Sequence, residues 1–96
     1  MADKKKVLVI DDDPLVLDQI TRTLSQEGFK VISTSSSKEG LRIAQEIQPS
    51  VITLDLLMPE LDGWSVLNSL KENPKTSMIP ILLLSIIDEQ KRGFLF

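Results

Sequence analysis

The chain contains no cysteine and no histidine. Without cysteine there is no disulfide framework, no thiolate metal site and no thiol nucleophile. Without histidine a Ser-His-Asp triad is excluded, as is any metal site that needs an imidazole ligand. Long apolar runs are missing too. None approaches the ~20 residues of a membrane span, and the N-terminus lacks the apolar h-region of a signal peptide. Basic residues cluster only at Lys4-Lys5-Lys6, just before the first apolar run, and read as a solvated lead-in. The lead-in is placed at residues 1–5 and the folded domain at 6–96. A net charge of −3 argues against a nucleic-acid-binding module. The expectation is a cytoplasmic, soluble protein with neither nucleic acid nor membrane as a partner. With 96 residues, 42% of them apolar, the chain suffices for one domain with a modest core.

What is present alternates strand with helix. Val7 to Ile10 is a short continuous apolar run, as expected for a strand buried on both faces. Asp13-Pro14 follows as an N-cap with proline at the first helical position. Leu17, Ile20 and Leu24 recur at helical spacing, and Gly28 stands where a helix stop belongs. Phe29 to Ser33 reads as a second strand. Ser36 and Glu39 have capping-box spacing before a helix with Leu41, Ala44 and Ile47 on one face, closed by Pro49. Val51 to Leu54 is a third strand. A helix after Asp62-Gly63 carries Trp64, Leu67 and Leu70, and Asn73-Pro74 closes it. Ile79 to Leu84 is a fourth strand, with Pro80 tolerated near its start and Ser85 ending the run. Asp88 is placed to cap a short fourth helix through Glu89, Gln90, Lys91 and Arg92. Strand-helix repeats of this length give parallel strands with right-handed crossovers, and so an open α/β sandwich with helices on both faces.

Two of these strands run straight into acids: Val7-Leu8-Val9-Ile10 into Asp11-Asp12-Asp13, and Val51-Ile52-Thr53-Leu54 into Asp55. A carboxylate at the end of a buried strand is costly unless something there uses its charge. In an open parallel sheet the ligand crevice lies at the carboxyl ends of the strands. Asp11, Asp12, Asp55 and Ser85 occupy such ends and can converge although far apart in sequence. Crowded carboxylates repel one another, and magnesium, which prefers oxygen ligands, relieves that. A carboxylate beside magnesium can attack a phosphoryl group and form an acyl phosphate. A duller account also exists for each residue. Asp11 to Asp13 read as a solvated turn with one N-cap, Asp55 as a turn cap, Ser85 as a helix cap and Trp64 as half-exposed packing.

Taken together, the acid pair, the stretch Asp55-Leu56-Leu57-Met58-Pro59-Glu60-Leu61-Asp62-Gly63 and Ser85 after Ile81-Leu82-Leu83-Leu84 resemble the receiver domain of response regulators in two-component signalling. The resemblance runs from Lys6 onward. It implies a flavodoxin-like, doubly wound parallel sheet. Asp55 would be the phosphoacceptor. Asp12 and Asp55 would ligate Mg2+ through their carboxylates and Leu57 through its backbone carbonyl, while Asp11 would hold a metal-bound water. Ser85 would be the switch hydroxyl. Met58-Pro59 and Asp62-Gly63 would shape the loop, and Asp13 and Asp62 would keep capping roles. A histidine kinase or phosphotransfer protein would donate the phosphoryl group, and the chain would be a switch, not an enzyme.

The chain also departs from that family. Receiver domains resemble a five-stranded, five-helix sandwich of strand order 2-1-3-4-5, and here only 2-1-3-4 is expected, with strand 5 and helix 5 absent. The fifth strand of that family ends in a lysine that pairs with the phosphoryl group, and no such position is expected here. The fourth strand would then be an open apolar edge, a template for self-association, and phosphotransfer would be weakened. An alternative reading is a half-domain fragment that self-associates without signalling. An aspartate-nucleophile phosphatase is a third, since Asp11 and Asp13 stand two apart after the first strand, but the stretch at Asp55 fits it poorly.

Overall fold

A computed structural model describes residues 4–55, 63–87 and 90–95, with side chains up to residue 84. The elements alternate as β1 (Lys6–Ile10), α1 (Pro14–Gln26), β2 (Lys30–Thr34), α2 (Ser37–Ile47), β3 (Val51–Asp55), α3 (Gly63–Glu72), β4 (Ile81–Ile87) and β5 (Gln90–Leu95). The sheet order is β2-β1-β3-β4-β5. The first four strands are mutually parallel, so the expected flavodoxin-like order 2-1-3-4 is found.

Local chemistry sets the helix ends. The Asp13 carboxylate accepts the Leu15 N–H at 2.9 Å and caps α1, with Pro14 behind it in the first turn. At the other end Gly28 adopts φ +94°. Its N–H bonds to the Ser25 carbonyl, and that of Phe29 to the Leu24 carbonyl, each at 3.1 Å. This paired closure needs a left-handed residue, which glycine supplies without a Cβ penalty. Ser36 Oγ accepts the Glu39 N–H at 3.2 Å and caps α2. That helix ends at Ile47 through Gln48 in the left-handed conformation, just ahead of Pro49. Where α2 crosses β1, a Cβ on Gly40 would lie 2.5 Å from Ile10 Cδ1, so the bare glycine lets the helix seat close to the strand.

Alternation along the strands sorts two faces. Leu8, Ile10, Ile52, Leu54, Ile81 and Leu83 join Ala44 of α2 and Val66, Leu67 and Leu70 of α3 in one buried core. Among the described residues, the opposite face is covered by α1. Val7, Val9 and Thr53 are buried there, but Leu82 and Leu84 are only half-buried, as are Val16, Leu17, Ile20 and Leu24 of α1. The Thr53 hydroxyl on this face is buried and has no hydrogen-bond partner among the described residues. An orphaned buried hydroxyl costs ~1–3 kcal/mol. Thr53→Val, which keeps the shape and removes the hydroxyl, is therefore expected to stabilise the fold by ~1 kcal/mol, read as a rise in the urea midpoint. An unchanged or lower midpoint refutes this.

The C-terminal segment differs from expectation. The fourth strand does not stop at Ser85 but continues to Ile87, and residues 90–95 form a strand in place of the expected helix from Asp88. This fifth strand, expected to be absent, pairs antiparallel with β4 from Ile87↔Gln90 to Leu82↔Leu95. The reason is geometric. Only two residues separate the strands, enough for a hairpin, whereas a parallel return needs a crossover of about a dozen. A helix that short is also marginal without a packed face. The outer edge of β4, expected to lie open, is therefore filled by the chain itself. Self-association through an exposed fourth strand loses its structural basis.

Candidate functional site

β1 and β3 lie side by side, with Ile10 opposite Leu54. One residue further along the same register stand Asp11 and Asp55, at the carboxyl ends of adjacent parallel strands. Asp12 follows. Carboxylate oxygens of Asp11, Asp12 and Asp55 all lie within 4.8 Å of one another. The three acids singled out in the sequence are thus brought together, from segments more than forty residues apart.

Asp11 is held by two bonds to backbone groups. Its backbone N–H donates to the Thr34 carbonyl of β2 at 3.2 Å, and its Oδ1 accepts the Asp13 N–H at 2.9 Å. Asp13 therefore does more than cap α1: its backbone also orients the neighbouring carboxylate. Sequence reasoning found the cap, because Asp-Pro is a local signal. It missed the roles of the Asp13 N–H and the Thr34 carbonyl, since backbone groups leave no trace in residue identity. Asp11 is 5% exposed. Burial pushes its carboxyl up to about 6, and the negative charges of Asp55 and Asp12 add to that, against the lowering effect of the Asp13 N–H.

This donor set suits a hard divalent cation. Three carboxylate oxygens lie close together, and the chain has no histidine or cysteine to compete as a ligand. Mg2+ takes oxygen ligands at ~2.0–2.1 Å and keeps several waters, so three acids gathered at one end of the sheet match its needs without a closed cage. The raised Asp11 carboxyl reflects its burial first and the neighbouring acids second.

Leu57, expected to offer its carbonyl, lies outside the described residues, as do Met58, Pro59 and Asp62. Ser85 lies within β4, opposite Arg92 of β5, one residue beyond the Leu84–Asp55 pair. Its backbone is at the same end of the sheet as the acids. Trp64, in the first turn of α3, is 50% exposed, consistent with half-exposed packing.

The comparisons with known proteins agree with this geometry. The family described as the response regulator receiver domain matches residues 7–93. A DNA-binding dual master transcriptional regulator, RpaA of Synechocystis, is 34% identical over 92 residues, covering 93% of this chain and 38% of the relative. The N-terminal domain of a response regulator receiver protein from Methanoculleus marisnigri superposes with TM-score 0.78 at 33% identity, over 81% of this chain and 63% of that one. A response regulator from Burkholderia pseudomallei, solved with a phosphorylated aspartic acid, a calcium ion and citrate, has TM-score 0.77 at 28% identity, over 85% of this chain and 47% of that one. The chain spans well under half the length of that curated relative. Fold, acid cluster and a family match over nearly the whole chain converge, and the chain belongs to the response regulator receiver domain family.

Proposed function

We propose that this chain is the receiver module of a two-component phosphorelay, taking a phosphoryl group on Asp55 with Mg2+ held by Asp11, Asp12 and Asp55. The observation that carries this is the convergence of those three carboxylates within 4.8 Å. Receiver domains in general are phosphorylated on an aspartate by histidine kinases or phosphotransfer proteins and bind Mg2+ at an acidic pocket. A carboxylate oxygen of Asp55 attacks phosphorus. One O–P bond forms as the bond to the donor breaks, and the donor leaves with its electron pair. Bound Mg2+ supplies charge neutralisation on the transferring oxygens. Asp11 is braced by the Asp13 N–H and the Thr34 carbonyl, so the cluster is assembled before the donor arrives. Asp12 and the Leu57 carbonyl would complete the ligand set, Asp11 would act through a water on the metal, and Ser85 would be the hydroxyl that meets the incoming oxygens.

The receiver unit is placed at residues 6–96, after a basic lead-in at 1–5. It works as a switch and not by turnover, in the cytoplasm. The net charge of −3 disfavours an anionic nucleic acid or membrane surface as a direct partner of the module. Among the described residues no helix is long and apolar enough to cross a membrane.

Incubation of the full chain with Mg2+ and acetyl phosphate, followed by intact-mass measurement, tests the reading. One phosphoryl group is expected, with none on Asp55→Ala and none after chelation of the metal. No uptake by the parent chain would favour a half-domain with an idle pocket. Uptake that survives Asp55→Ala would place the acceptor elsewhere.

A further inference from the structure

Helix α1 crosses its face of the sheet without closing it. Between α1 and strands β3 and β4 lies a cavity of about 330 Å³, walled by Ile20 and Leu24 of α1 and by Leu82 and Leu84 of β4. These four side chains are only half-buried. Gln19 and Thr23, one helical turn apart and both exposed, stand at its mouth. Among the described residues, no charged side chain lines it. Small-molecule sites span ~300–1,000 Å³ and are mostly apolar, with a few polar groups that fix the ligand's orientation.

One buried polar group interrupts the apolar walls. Thr53 of β3 lines the cavity and is opposite Leu82 in register. Directly opposed residues share a face, so the Thr53 side chain is turned toward α1. It is 8% exposed, and its hydroxyl has no hydrogen-bond partner among the described residues. That hydroxyl is shielded from water, and one step about χ1 exchanges it with the methyl group on the same Cβ. A hydroxyl both donates and accepts, so either kind of polar group satisfies it.

We propose that this cavity binds a small uncharged molecule with an apolar body and one hydroxyl or carbonyl group, which Thr53 recognises. The apolar body displaces water from Ile20, Leu24, Leu82 and Leu84, and that burial drives binding. The polar group meets the Thr53 hydroxyl, and each supplies the partner that the other lacks once water is excluded. A charged ligand is disfavoured, because the walls offer it no counter-charge. The site is separate from the acidic pocket and does not depend on which carboxylate accepts a phosphoryl group.

The test uses the full chain with p-cresol and p-xylene, a pair that differs by a hydroxyl in place of one methyl group. Affinities are read from backbone amide resonances, and the amides that move locate the site. Both probes are expected to bind saturably and to shift amides of α1, β3 and β4. Thr53→Val should weaken p-cresol binding about fivefold, the loss of one neutral hydrogen bond. The same variant should bind p-xylene as tightly as the parent or more tightly. Because Thr53→Val is expected to be the more stable protein, its loss of p-cresol is not a loss of fold. Thr23→Phe, at an exposed position of α1, fills the mouth and should abolish binding of both probes. An equal effect of Thr53→Val on the two probes overturns the role of Thr53. Absence of saturable binding by the parent, or shifts confined to residues outside α1, β3 and β4, overturns the site. A dimer in sedimentation that shields these same amides from both probes assigns the cavity to a second copy and overturns it too.

Discussion

Asp11→Asn is expected to make the metal-free protein more stable at neutral pH while lowering its affinity for Mg2+ at least tenfold. Both effects arise from one buried carboxylate. Asp11 is 5% exposed, and its carboxyl is pushed up to about 6 by burial and by the neighbouring acids. An acid whose folded value exceeds its unfolded value of 3.8 binds its proton more tightly when folded. Its stabilising contribution is thus present below about pH 4 and is lost as pH rises through about 6. A shift of this size corresponds to a penalty on the order of 3 kcal/mol at pH 7.5. Asparagine carries no charge and keeps an oxygen to accept the Asp13 N–H, so it removes the penalty without opening a gap. Urea denaturation with chelator at pH 4, 6 and 7.5 should show the two proteins equal at the lowest pH and diverging above it. With Mg2+ the order reverses, because the parent gains binding energy that the variant has lost. Equal stabilities at pH 7.5, or an unchanged Mg2+ affinity, would contradict this account of the pocket.

Leu54→Ala should bring the domain close to unfolding. Leu54 is fully buried, flanked in register by Ile10 of β1 and Leu83 of β4. Leucine-to-alanine changes at such sites cost ~2–5 kcal/mol, because the cavity adds to the lost transfer energy. A domain of this size has ~5–10 kcal/mol in total. A loss of ~3–4 kcal/mol is expected in the urea midpoint. Since Leu54 immediately precedes Asp55, Mg2+ affinity should fall as well. Leu15→Ala is the control. Leu15 is 73% exposed, and its loss should cost no more than ~0.5 kcal/mol. A small effect at Leu54 would mean that the core is packed differently from the arrangement described.

The residues that were legible in sequence share one property: their roles depend on near neighbours. Asp13-Pro14 and Gly28 bracket α1 because caps and left-handed closures are read over four or five residues. Val7 to Ile10 and Val51 to Leu54 read as buried strands because a continuous apolar run has few other uses. Asp11 and Asp55 stood out because carboxylates do not end such runs without cause. The segment after Ile87 departs from its local signal for the same reason. Asp88-Glu89 before Gln90-Lys91-Arg92 has the local composition of a helix start, and local composition is all that a helix signal contains. Whether that segment coils or extends depends on an unfilled strand edge beside it, and that edge belongs to β4.

By itself, the sequence determined the alternation of strands and helices, the faces that become core, and the choice of Asp11, Asp12 and Asp55 as the acids of one site, all consequences of spacing and burial cost along the chain. Only the tertiary structure decided how closely those acids approach and how far Asp11 is perturbed, because both depend on the register of β1 against β3 and on the water excluded between them. It alone decided the course of β5, which follows from a two-residue connection and the backbone donors and acceptors along β4.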